Sequence, residues 1–345
     1  MQRRYFAVDL SSYDIHVIHD IHDIHGKMNR ILSALVLLLH ALSSQVFAET
    51  YPSKPIKLII PFAAGSATDS AGRILGQALS QRLGQNVVVD NRPGANGQIA
   101  ATLAAQSAPD GYTLIMSSNS THSANPHLYK SLPYDPIKDF EPIARLGTLA
   151  FMLVVNPELP VRNTKELIAY AVAHPGELSY GTANTTSLVG AETINIMGHT
   201  DMVGVSYKSS PQAILDLAAG RVQVMVADFT VAMPQVRAGK LKVLAVTTAK
   251  RSALLPGVPP IAETLKGFDM TSWNGVFAPA GTPQPIVARL EREMLASLAQ
   301  ADVRERLATI GFDVEPQDGV AFRRFVREQL DAWGKLIRAA KIQPE

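Results

Sequence analysis

Three short apolar runs joined by two amphipathic stretches constrain the front half of this chain to a sheet covered by helices. Residues 57–61 (KLIIP), 86–90 (NVVVD) and 112–117 (YTLIMS) read as buried strands, each too short for a helix. Between them, residues 70–83 place Ile74, Leu75, Leu79 and Leu83 at helical spacing, and residues 97–107 form the next helix. This βαβαβ order is the signature of a mostly parallel sheet. A second set follows: strand 151–155 (FMLVV), a helix entered at Asn163 with Glu166 close behind, strands 178–181, 202–206, 223–228 and 242–247, and helices 187–197 and 211–219. Strand 271–278 then precedes a turn whose Pro283 suits the first turn of a helix ending near Ala299. The tail, 303–310 and 320–340, is helical, and its stripe of Val320, Phe322, Phe325, Val326, Leu330, Trp333 and Ile337 needs a core to cover.

The expected fold class is therefore α/β, in two domains: residues 49–150 plus 270–345, and residues 151–269. The chain would cross between them near Phe151 and near Thr271. Two crossings make a hinge, and a hinge between α/β domains suits closure on a ligand.

Composition removes several function classes. Lys and Arg number 32 against 30 Asp and Glu, a formal charge of +2, so the chain has no basic footprint for nucleic acid. Cysteine is absent, which excludes disulfides, thiolate catalysis and Cys-ligated zinc. Compartment must be read from targeting signals instead. Residues 27–30 (KMNR) are basic, residues 31–42 (ILSALVLLLHAL) are an apolar run too short to anchor in a bilayer, and Val46-Phe47-Ala48 is a small-x-small cleavage site. Cleavage after Ala48 would leave 345 − 48 = 297 residues, exported and soluble. Upstream, His16, His19, His22 and His25 recur in an Ile-His-Asp pattern that could capture a metal. Met28 stands at the proper place for an initiator, so residues 1–27 read as an over-extended start and residues 28–48 as the signal peptide; on either reading the segment leaves with it.

In open α/β sheets, ligands bind beyond the carboxyl ends of the strands. Three loops there share one chemistry. The loop after the first strand, residues 61–69 (PFAAGSATD), runs into a helix N-terminus whose N–H groups and dipole favour an anion without any basic side chain. Residues 117–121 (SSNST) follow the third strand, and residues 181–187 (GTANTTS) precede a helix in the second half. Each loop taken alone is more often just a helix cap, and the signal is that three of them share one chemistry at equivalent strand ends. Asp69 could serve its helix dipole, and Asp228, ending the strand VMVAD, could recognise an ammonium or hydroxyl or cap the next helix. None of the three loops contains arginine, which favours an anion held by neutral donors and argues against a bulky tricarboxylate.

Catalytic patterns are missing: no G-x-S-x-G, no phosphate-binding G-x-x-x-x-G-K-[ST], no G-x-G-x-x-G and no H-E-x-x-H. Of His122, His127, His174 and His199, only His122 neighbours a candidate loop. As a base it would need a nucleophile and an orienting partner, for which Ser120 and Asp69 could be nominated without support from spacing. No catalytic residue, metal or cofactor is expected.

The runs YPSKPIKLIIPFAAGSATD, VVVDNRPGANG, APDGYTL, NPHLYKSLPYDPIKDFEPIA, VSYKSSPQAILDLAAGRVQVM, QVRAGKLKVLAVTTAKRSALLPGVPPIAE and FAPAGTP resemble the Bug family. These are the periplasmic solute receptors of tripartite tricarboxylate transporters, and the resemblance spans the chain from about Tyr51 to the C-terminal helix. It implies a two-domain Venus-flytrap fold of type II-like architecture and a small carboxylate ligand: a mono- or dicarboxylate, an amino acid or an aromatic acid. It implies as partners the membrane permease subunits or, alternatively, a sensor kinase, and a receptor working as a monomer. An enzyme acting on a small acid is the other alternative. Carried over residue by residue, it points to Phe62, Gly65, Ser66, Thr68 and Asp69 in the first loop and Ser117, Ser118 and Thr121 in the second. In the third it points to Thr182, Ala183, Asn184, Thr185 and Ser187, with Asp228 at the far end of the ligand. The family's usual Gly-Gly is here Gly65-Ser66, and the third loop lacks the family's glycines; both changes add side chains where backbone usually lines the pocket.

Overall fold

The structure, a computed structural model, describes residues 51–252 and 255–345. The histidine repeat, the signal peptide and its cleavage site lie outside the described residues. The elements run in chain order as β1 (Ile56–Ile60), α1 (Ala67–Leu83), β2 (Val87–Asn91), α2 (Gln98–Ala105), β3 (Thr113–Ser118), a π-helical turn over Ser120–Ala124, α3 (Asn125–Leu128) and β4 (Phe140–Leu149). Then follow β5 (Phe151–Val155), α4 (Thr164–Ala173), β6 (Ser179–Thr182), α5 (Thr185–Gly198), β7 (Val203–Ser206), α6 (Ser210–Ala218), β8 (Val224–Asp228), α7 (Phe229–Arg237) and β9 (Lys242–Val246). The chain closes with β10 (Ser272–Pro279), α8 (Gln284–Leu298), α9 (Ala301–Thr309), β11 (Phe312–Asp318) and α10 (Gly319–Ala339).

Among the described residues the strands form two sheets, ordered β11-β4-β10-β3-β1-β2 and β7-β6-β8-β5-β9. The α/β class is as the sequence indicates, but the sheets are mixed rather than mostly parallel. β1 pairs in parallel with β2 and β3, and β6 with β7 and β8, whereas β10 opposes β3 and β4, β11 opposes β4, and β5 opposes β8 and β9. The cause is the path of the chain between sheets. β5 and β10 enter their sheets at the end where β8 and β3 finish, so they must run the opposite way.

Two strands escape sequence reading for a local reason. β4 contains Pro142, and β11 contains Pro316, residues that cannot donate to a ladder and signal against strand. Both are absorbed by irregular pairing: the register shifts between Val276 and Phe277 opposite Pro142, and between Val314 and Gln317 around Pro316.

The C-terminal helix covers the first sheet with Phe322, Val326, Trp333 and Ile337, all buried. Val320, counted in that stripe from the sequence, is instead 82% exposed, because at 3.6 residues per turn it lies about 200° around the helix from Phe322, on the outer face. Phe322 lies over Gly275 of β10, edge-on to Trp273 at 5.7 Å between ring centroids. A Cβ at Gly275 would stand 2.1 Å from the Phe322 ring. Gly275→Ala is therefore expected to overpack this contact and lower stability by about 1–3 kcal/mol, read as a lower urea midpoint at unchanged slope.

Candidate ligand-binding site

β1, β3, β6 and β8 all finish at one cleft between the two sheets, and the loops that leave them form its walls. The innermost part is a cavity of about 20 Å³. The first half supplies Phe62, the first turn of α1 (Ser66, Ala67, Thr68), Ser118 and Ser120; the crossing segments supply Leu149, Phe151 and Ser272. The second half supplies Asn184 and Thr186 at the start of α5, Ser210 at the start of α6, and Asp228. Phe62, Ser66, Asn184 and Ser210 also border a wider outer cleft of about 660 Å³, whose wall includes Tyr129, Leu188, Tyr207, Lys208 and Glu345.

The loop before α1 is stapled to its own helix. Ser66 is the N-cap, its Oγ accepting from the Asp69 N–H at 3.2 Å. Gly65 has φ of 80°, a conformation only glycine adopts freely, and its N–H donates to Asp69 Oδ2 at 2.9 Å. Asn91 donates to Asp69 Oδ1 at 2.9 Å, and Arg73 pairs with the same carboxylate. Burial opposes ionisation of Asp69, but these donors outweigh it and hold its pKa below the ordinary carboxylate value. Asp69 therefore fixes the loop and Gly65 turns it, while neither lines the cavity.

The loop before α5 is built likewise as a capping box: Asn184 Oδ1 accepts from the Ser187 N–H at 3.0 Å, and Ser187 Oγ accepts from the Asn184 N–H at 3.1 Å. Ser187 is thereby consumed as a cap. Thr185 is fully buried and accepts from Asn96 Nδ2 at 2.6 Å, a bond from one half of the cleft to the other. A second such bond runs from Asn119 Nδ2 to Thr186 Oγ1 at 3.0 Å.

Of the residues singled out in the sequence, Phe62, Ser66, Thr68, Ser118, Asn184 and Asp228 meet at the inner cavity, and Thr182 and Ala183 border the outer cleft. Gly65, Asp69, Ser117, Thr121, Thr185 and Ser187 lie behind those walls as support. Asn119, Ser120 and Thr186 lie within the loops singled out without being named there as ligand contacts, and Asn96, Ser210 and Ser272 lie outside them. Ser210 carried a readable signal, since Lys208-Ser209-Ser210-Pro211 is a polar loop between a strand and a helix, of the same kind as the other three. Ser272 and Asn96 carried none, because only the folded chain brings them to the cleft.

Ser117 and His122 do form a hydroxyl–imidazole pair, Oγ to Nδ1 at 2.5 Å, but both side chains are wholly buried and neither borders a cavity. His122 stacks on Phe277 at 4.1 Å and leaves Nε2 without a partner; burial pushes its pKa down to about 3, so the ring is neutral. Neither of the two groups nominated as partners for His122, Ser120 and Asp69, is hydrogen-bonded to it.

Asp228 ends β8 and caps α7, its Oδ1 accepting from the Val231 N–H at 3.2 Å. It is 3% exposed, and burial drives its pKa up to about 6 against the smaller opposing effect of the Val231 N–H, its own N–H and the Ser210 hydroxyl. A raised folded pKa means the native state keeps this proton when the unfolded chain has released it. The stability it confers is full below about pH 4 and lost as pH rises through about 6. Asp228→Asn, which keeps a good cap, is expected to remove that decline, seen as a flatter urea-midpoint profile between pH 4 and 6.5.

A cleft between two α/β lobes, walled by helix N-termini, defines the solute-binding class. The sequence matches the tripartite tricarboxylate transporter family receptor over residues 71–342, and the chain belongs to that family, the Bug receptors of the periplasm. A UPF0065 protein of Bordetella bronchiseptica is 36% identical over 315 residues, covering 91% of this chain and 93% of that one. The structure of Rpa4515 of R. palustris with adipate superposes with a TM-score of 0.83 at 35% identity, covering 86% of this chain and all of that one. MatC of Rhodopseudomonas palustris with bound malate gives 0.77 at 32% identity, covering 83% of this chain and all of that one.

Proposed function

We propose that this protein is an extracytoplasmic receptor that captures a small carboxylate in the cleft and hands it to the permease subunits of a tripartite tricarboxylate-type transporter. The observation that carries this reading is the convergence of the N-termini of α1 and α5 on one hydroxyl-lined cavity. Seven hydroxyls, from Ser66, Thr68, Ser118, Ser120, Thr186, Ser210 and Ser272, border it together with those helix ends. Such a wall neutralises an anion with dipoles and O–H donors rather than with basic side chains. The adipate and malate complexes of its structural neighbours agree with this chemistry. A cavity of about 20 Å³ admits one end of a ligand, so the rest of the molecule occupies the outer cleft.

The bodies that move would be residues 49–150 plus 270–345 and residues 151–269, hinged at the crossings, with the receptor acting as a monomer in the periplasm after loss of its signal peptide. Closure follows from whatever the ligand binds better in the closed state than in the open one. The role is binding rather than turnover, a reading supported by the burial of the Ser117–His122 pair away from both parts of the cleft.

Thermal unfolding of ligand-stripped protein tests the receptor reading. A carboxylate at about 100 times its Kd should add about 2.7 kcal/mol of stability, and Ser66→Leu, which fills the cavity, should abolish that gain. No gain with any mono-, di- or tricarboxylate, amino acid or aromatic acid would overturn the reading. Closure has its own test: Asn96→Ala removes the bond to Thr185 and should shift the unliganded protein towards the open form, measured as a larger radius of gyration in X-ray scattering.

A further inference from the structure

Asn119 is wholly buried, yet both ends of its amide are bonded to hydroxyls of the inner cavity wall. Its Oδ1 accepts from the Ser272 hydroxyl at 2.6 Å, and its Nδ2 donates to Thr186 Oγ1 at 3.0 Å. The residue stands between Ser118 and Ser120, which border the cavity themselves, at the point where β3 gives way to the π-helical turn. Such turns are frequent at functional sites. One amide thus joins three parts of the cleft: the end of β3, the first turn of α5 and the start of β10. A hydroxyl carries one proton and can also accept. Ser272 gives its proton to Asn119 and leaves the cavity only an acceptor. Thr186 has its oxygen occupied by Asn119 and, among the described residues, no other hydrogen-bond partner, so its proton is free for the cavity.

We infer that Asn119 is a positioning residue of the receptor: by occupying the Thr186 oxygen it makes that hydroxyl a dedicated donor to the ligand carboxylate, and does so only in the closed cleft. The inference rests on the receptor reading above and deepens it. Asn119 belongs to the first half of the cleft and Thr186 to the second, so their bond forms only when the halves approach. The series from Nδ2–H to Thr186 Oγ–H to carboxylate is then a chain in which each hydrogen bond polarises the next. A ligand that accepts from Thr186 strengthens the bond that holds the cleft shut, which supplies the differential affinity for the closed form that closure requires. The adjacent Thr185 does not serve in this way. Its oxygen is bound to Asn96, and it lies behind the wall rather than in it. A side chain needed only for packing would have to supply volume alone. Asparagine's amide is what accepts from one wall hydroxyl while donating to another.

The test is a double-mutant cycle read by calorimetric titration of the purified, ligand-stripped protein. Acetate, malate, adipate, citrate, glutamate and nicotinate are the probes, covering each class of acid screened above, and the tightest binder is carried through the cycle. Thr186→Val should weaken binding at least about tenfold, the cost of losing a hydrogen bond to a charged group, whereas Thr186→Ser should keep it. Asn119→Ala should weaken binding about fivefold. Made in the Thr186→Val background, the same change should have almost no further effect, because the residue through which it acts is gone. Asn119→Leu, which keeps the branched shape without the amide, is read in the same cycle and serves where the alanine variant folds poorly. An Asn119 factor equal in the two backgrounds marks a purely structural role and sinks the inference, as does unchanged binding in both Asn119 variants; either result leaves the carboxylate receptor intact. Binding of none of the six acids by the unmodified protein would overturn the receptor reading and the inference together.

Discussion

The backbone of Ala150 is held from both halves of the molecule at once. Its N–H donates to the Gly311 carbonyl at 3.0 Å, and its carbonyl accepts from the Phe229 N–H at 3.0 Å. This residue joins β4 to β5, so the main chain passes from one sheet to the other through a point with both polar groups satisfied. Thr230 adds a bond from its hydroxyl to the Ile310 carbonyl at 2.7 Å. Gly311 is required here. Its φ is 76°, and a Cβ would stand 2.5 Å from Phe229. Everything at the cleft depends on this crossing, because it sets how the ends of β3 and β8 face each other.

The cleft walls are rigid behind and adaptable in front. Asp69, Ser187 and the buried group of Ser117, Thr121 and His122 spend their hydrogen bonds on holding loops, leaving hydroxyls of neighbouring residues to face the cavity. Such a division follows from the cost of burying polar groups. Each supporting donor or acceptor must find a partner within the protein, and only groups at the cavity surface are free to exchange water for ligand.

Much of the architecture was readable because the parallel units obey local rules. The short apolar runs became β1, β2, β3 and β5, and the Asn163 and Asn184 caps start α4 and α5. The loops after β1 and β3 and before α5 could be nominated because ligand sites in such folds lie at strand ends. Within those loops the sequence could not separate wall from support. Thr185 and Thr186 are adjacent and chemically identical, yet one accepts a bond from Asn96 and the other borders the cavity while accepting from Asn119. That distinction depends on helix phase and on what packs across the cleft.

The sequence by itself determined the α/β class, the places where polar loops enter helices, and the family, since these follow from periodicity, capping residues and motifs contiguous in the chain. Tertiary structure alone decided the strands β4 and β11, whose prolines obscure them locally, and the antiparallel direction of β10. It also decided the gathering of Asn96, Ser210 and Ser272 at one cleft, and the burial of Asp228. The reason is physical: burial is set by residues far apart in sequence, so the sequence shows which residues are polar but not which of them the folded chain buries.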